Sequence, residues 1–190
     1  SAGPFIEAAN GLHDALVASG SGDVRLGVNI NFTSSNNGPS VPDENYILIN
    51  KYPGAGSPFL SNIKAMRVSE MYLIKAELQA KVQNDPAGAA QTLKLLRDAR
   101  LGTDTDLLVF NNASEALAGV LNERRLELAY EGSRYLDHKR NGLGINRTPI
   151  DCEEGGSCIL PASDHRFTLP IPQVEVNANP NITPNPGYGS

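Results

Sequence analysis

One stretch constrains the fold more than any other: Asn122-Glu123-Arg124-Arg125-Leu126-Glu127-Leu128-Ala129-Tyr130-Glu131-Gly132-Ser133-Arg134-Tyr135-Leu136-Asp137-His138-Lys139-Arg140 interleaves acids and bases across a single glycine. Leu117, Val120, Leu121 and Leu128 recur at helical spacing, so one face of a helix here is buried. Arg124 falls on that face. A buried guanidinium needs a carboxylate, because removing one partner of a buried pair costs about 3–5 kcal/mol. Glu127 and Glu131 point to the same side, and Asp137 can fold back past Gly132. The stretch therefore reads as a helix, a glycine break and a second helical turn, joined by an ion network of Arg124, Glu127, Glu131 and Asp137. The same carboxylates suit an acid–base site, but structural networks are the commoner use of such groups.

The 190-residue chain is long enough for one sizeable core. A net charge of −5 argues against nucleic acid, whose binding rests on clustered basic residues. Gly and Pro crowd before residue 63 and after residue 142, which leaves a helical middle between loop-rich flanks. The expected organisation is a loop-rich segment over 1–62, a helical core over 63–140 and an irregular C-terminal segment over 141–190. No run approaches the roughly 20 apolar residues of a membrane-spanning helix.

Residues 5–16 suit a short amphipathic helix with Ile6, Ala9, His13, Leu16 and Val17 on one side. Leu26-Gly27-Val28-Asn29-Ile30-Asn31-Phe32 alternates as a half-buried strand does, and Tyr46-Ile47-Leu48-Ile49 reads as a second extended run. In the middle, Arg67, Met71, Ile74, Leu78 and Val82 follow a helical period and predict one buried stripe. Asp85-Pro86 is an N-cap followed by a proline suited to the first helical position, and Gly102 is suited to a left-handed C-cap. Two helices so connected form a hairpin, with Ala76, Ala80, Ala87, Ala89 and Ala90 permitting close approach. Asn112-Ala113-Ser114-Glu115 has capping-box spacing at the start of the third helix. The fold class is thus mainly α, with helical hairpins, long loop-rich flanks and little β; the hairpins resemble a tetratricopeptide stack but lack the aromatic and proline markers of that repeat. Beyond Arg140, the prolines of Phe167-Thr168-Leu169-Pro170-Ile171-Pro172 exclude helix locally.

Little in the chain looks catalytic. No nucleophile–base arrangement, phosphate loop or metal-ligand spacing is present, so neither an enzyme, a metal nor a cofactor is expected. Cys152 and Cys158 flank a glycine-bearing loop, and a disulfide between them is favoured over two reduced thiols. Phe32, Asn36, Asn37, Tyr46 and Tyr52 offer the aromatic faces and planar amides that hold sugars, although aromatics also serve to pin loops onto a core.

Four segments together resemble the C-terminal part of the SusD/RagB family of outer-membrane nutrient-binding lipoproteins. They are Arg67-Val68-Ser69-Glu70-Met71-Tyr72-Leu73-Ile74-Lys75-Ala76-Glu77, then Glu123 through Asp137, then Leu169-Pro170-Ile171-Pro172, then Asn185-Pro186-Gly187-Tyr188. Tyr135 stands where the family often has tryptophan, and Pro184 where glutamine is common. The resemblance implies a non-catalytic glycan- or nutrient-binding protein at the cell outer membrane. It also implies delivery to a SusC-like TonB-dependent transporter, and anchoring through a lipid on a segment outside this chain. It assigns no ligand residue here, and it carries Arg124, Glu127, Glu131 and Asp137 over as scaffold. The alternative is a helical-repeat adaptor whose ligand is another protein.

Overall fold

A computed structural model describes residues 8–30, 47–52, 61–152 and 158–189. Among these the chain is mainly helical, with a single two-stranded ladder. It divides into two compact units, Ser1–Arg134 and Tyr135–Ser190.

The first unit is built on α3 (Val68–Lys81) and α4 (Pro86–Leu101). The connection between them is short because Asp85 caps α4, its carboxylate accepting the Gly88 N–H at 2.8 Å, while Pro86 takes the first position. Gly102 ends α4 with φ 67°, a left-handed conformation that costs a side chain and is free to glycine. α5 (Ala113–Glu127) then packs against both helices. Its N-terminus is a reciprocal box: Asn112 Oδ1 accepts the Glu115 N–H at 2.9 Å, and Asn112 Nδ2 donates to the Glu115 carboxylate at 3.0 Å. Leu73, Ala76, Ala80, Ala89, Leu93, Leu96, Ala116, Val120 and Leu128 form the core of this trio.

The stripe expected to be buried on α3 is exposed. Met71, Ile74, Leu78 and Val82 retain 51, 49, 46 and 72% of their surface. α3 instead buries Ser69, Leu73, Ala76, Glu77 and Ala80. Small side chains on this face let α4 and α5 approach closely, and a row of large apolar residues would hold them apart.

A second apolar cluster joins Ala8, Leu12, Leu16 and Ile30 to Leu126 and Ala129 near the end of α5. α1 (Asn10–Ala18) presents Leu12 and Leu16 to it, and His13 stays at its edge beside Asp14. The alternation at Leu26 proves misleading, because Val24–Asn29 is a helix, α2. Asp23 is its N-cap and accepts the Arg25 N–H at 2.9 Å, a local start signal that outweighs the weak strand pattern. Among the described residues, Ile30 makes a β-bridge to Ile49 in the run read as extended. Phe32, Asn36, Asn37 and Tyr46 lie outside the described residues.

α6 (Ser133–Arg140) leads into the second unit. There β1 (Ile145–Asn146) pairs antiparallel with β2 (Ile159–Leu160), and Cys152 and Cys158 are joined by a disulfide. Tyr135 stacks on Phe167 and donates its hydroxyl hydrogen to the Phe167 carbonyl. Asn185 Nδ2 donates to the Leu169 carbonyl at 2.8 Å, which ties Leu169-Pro170-Ile171-Pro172 to the closing Asn185-Pro186-Gly187-Tyr188 turn. A short helix, α7 (Gln173–Ala178), occupies part of the segment read as irregular. Pro170 and Pro172, the latter its N-cap, precede the helix and remove none of its donors.

Candidate functional site

Glu123, Glu127 and Glu131 recur every fourth residue, so α5 and the turn beyond it carry their carboxylates along one side. Four separate segments deliver cations to that side. Arg67, at the N-cap of α3, donates through Nη1 to Glu127 and through Nε to Glu131 at 3.0 Å. Arg100, in the last turn of α4, grips Glu127 through Nε at 2.9 Å and Nη2 at 2.7 Å. Lys51 Nζ lies 2.8 Å from Glu131. Arg25 in α2 pairs with Glu123, and it holds Asp23 through Nε at 2.9 Å and Nη2 at 2.6 Å.

Asp23, Glu123, Glu127 and Glu131 are thus matched by Arg25, Lys51, Arg67 and Arg100, and the cluster balances in charge. That balance is what makes burial tolerable. Burial alone would push the Glu127 carboxyl up. Hydrogen bonds from Arg100 and Arg67 outweigh burial and hold it down at about 2. For Lys51 the balance tips the other way: burial lowers its ammonium pKa more than Glu131 restores it. A carboxylate held so low stays ionised at neutral pH and has no proton to donate, so this constellation suits charge pairing rather than general acid chemistry.

Arg124 is buried, with Nη2 3.7 Å from Glu70. Asp137 is also buried and accepts from Arg140 at 2.7 Å within the second unit. Tyr52 donates to the Tyr130 carbonyl at 3.4 Å, and the Lys64 ammonium sits 4.6 Å from its ring centroid, over one face of the ring. Sequence reasoning selected Glu127 and Glu131 but not Glu123, Arg25, Lys51 or Arg100. The four-residue spacing of the glutamates was a usable signal for Glu123. Nothing local marks the cations, which arrive from distant segments.

The break after α5 is sharp. Tyr130 has φ 63° and Gly132 φ 83°, so two left-handed residues within three positions redirect the chain. The Tyr130 phenol is buried, and burial pushes its pKa up to about 12.

Residues 50–188 match the model of the SusD family. The SusD-like protein P2 of Formosa agariphila is 31% identical over 140 residues, which cover 67% of this chain and 26% of that protein. A crystal structure of a SusD superfamily protein from Bacteroides thetaiotaomicron VPI-5482 superposes with a TM-score of 0.71 at 33% identity, covering 90% of this chain and 39% of that one. A SusD-like carbohydrate binding protein from Bacteroides vulgatus ATCC 8482 shares the fold with a TM-score of 0.69 at 21% identity, covering 93% of this chain and 41% of that one. The chain spans less than half the length of each of these relatives. With a helical core of the same fold and a family match that runs from the Lys51 segment to the closing Tyr188 turn, the chain belongs to the SusD family.

Proposed function

We propose that the complete polypeptide captures glycans or other nutrients at the cell outer membrane and passes them uncleaved to a TonB-dependent transporter of the SusC type. The observation that carries this reading is the family match over residues 50–188. One fold relative is itself named a carbohydrate binding protein. Retention at the surface would rest on a lipid anchor, as membership of the family suggests. In this reading the Glu123–Glu127–Glu131 cluster is scaffold, together with Arg124 and Asp137. It fixes the ends of α3, α4 and α5 and touches no ligand.

A glycan array on the complete polypeptide, followed by calorimetric titration of the hits and affinity capture of the transporter, tests the proposal. Saturable saccharide binding without product release supports it. Turnover of the glycan would replace it with an enzyme. The exposed stripe of Met71, Ile74, Leu78 and Val82 on α3 favours a second reading, a helical adaptor for another protein. A tight protein partner with no saccharide binding would select that reading.

A further inference from the structure

Away from the charge cluster's centre, a cavity of about 270 Å³ opens among α1, α2, α4 and α5, lined by Arg25, Arg97, Leu101, Asn122, Glu123 and Leu126 among others. Its floor is spent. Arg25 uses Nε and Nη2 on Asp23 and Nη1 on Glu123, so neither Arg25 nor the Glu123 oxygen it holds is free for a ligand. Arg97 differs. Its side chain makes no hydrogen bond or ion pair among the described residues, and its Nε is buried without an acceptor. Asn122, at the rim, is exposed. Leu101 is half-buried on one side, with Leu126 buried beneath the lining.

We propose that this cavity is a subsite for one uronic acid residue of an acidic glycan, with Arg97 taking the sugar carboxylate and Asn122 a neighbouring hydroxyl. The inference rests on the glycan-capture reading and narrows it. The volume lies just below the roughly 300–1,000 Å³ of drug-sized ligand sites, which leaves room for one ring and not for a chain. The uncommitted cation among the described lining residues is the Arg97 guanidinium, whose planar fork matches a carboxylate through two parallel hydrogen bonds. Arg25 is shared between Asp23 and Glu123, so the floor keeps one negative charge, and Arg97 is the cation of the lining left to face an incoming carboxylate. The exposed edge of Leu101 gives the C–H face of a pyranose an apolar contact, where an inorganic anion would gain nothing.

The test titrates the 190-residue chain with glucuronate, galacturonate, glucose, galactose and acetate, observing the Asn122 and Arg97 side-chain NMR signals. At least one uronate is expected to bind tenfold or more tightly than its neutral counterpart and than acetate. Arg97→Ala should remove that preference with the thermal midpoint unchanged, and Arg97→Lys should restore part of it. Equal binding of uronate and neutral hexose, equal binding of acetate, or an Arg97→Ala variant that binds like wild type each overturns the subsite. Glycan binding by the complete polypeptide that survives Arg97→Ala would remove the subsite and leave nutrient capture standing. No glycan binding by the complete wild type would remove nutrient capture, while the uronate titration would still decide what the cavity holds.

Discussion

At the scale of single residues, Glu127 carries the most weight, because Arg67 and Arg100 both close on it and almost none of it meets water. Glu127→Gln keeps the shape and removes the charge, leaving cations without their partner, and is expected to lower stability by about 3–5 kcal/mol. The pH dependence has a fixed sign. The folded-state pKa of about 2 lies below the ordinary 4.5, so the stabilisation is complete above about pH 5 and is lost as pH falls toward 2. A gap of that size corresponds to about 3 kcal/mol at most. Urea midpoints at pH 7 and pH 3 measure it: wild type should lose stability on acidification, and Glu127→Gln should lose markedly less. An equal acid response in both proteins would show that other carboxylates dominate. The glutamates were legible from sequence because a helix period places them together. Their partners were not, since Arg25, Lys51, Arg67 and Arg100 come from four segments that only the tertiary fold brings to one place.

At the scale of elements, hairpin termini were legible and facing was not. Asp85, Pro86, Gly102 and the Asn112–Glu115 box act within a few residues of themselves, so local chemistry determines them. Which side of α3 is buried depends on what packs against it. The large apolar residues suggested one side, and the small residues Ala76 and Ala80 occupy the other. Two adjacent residues, one buried and one exposed, test this directly. Leu73→Ala opens a cavity in the core and should cost about 2–5 kcal/mol, whereas Ile74→Ala should stay within about 0.5 kcal/mol of wild type. Equal costs would put the helix in the wrong register. In the second unit, β1 and β2 contribute two residues each, too few to hold a ladder alone. The Cys152–Cys158 link closes the loop between them. Replacing both cysteines by serine should destabilise this unit by about 2 kcal/mol on the chain-entropy account. Hydrogen exchange at the Arg147 amide, bonded to the Cys158 carbonyl at 2.9 Å, should accelerate, with amides inside α4 as the internal reference.

At the scale of the whole molecule, composition and motif order were enough to indicate a mainly helical fold, and the described residues agree. The uncovered face of α3 has a further consequence. Ile63, Met66, Val68, Met71, Ile74, Leu78 and Val82 are all exposed, on one helix and its lead-in, in a protein of net charge −5. Contiguous exposed apolar surface of this kind is rare on soluble monomers and marks a contact surface or an association hazard. Lys75 and Lys81 border it, so the face combines apolar and basic character against an acidic remainder. The 190-residue chain is therefore expected to bind a hydrophobic dye and to associate with rising concentration, an effect read by sedimentation velocity. Ile74→Glu combined with Leu78→Lys should suppress both, because a mixed-charge face no longer gains from leaving water. The thermal midpoint should hardly move, since neither side chain contributes to the core of α3, α4 and α5. Association that persists in the double variant would place the sticky surface elsewhere, and a large fall in midpoint would show that the stripe is packed after all.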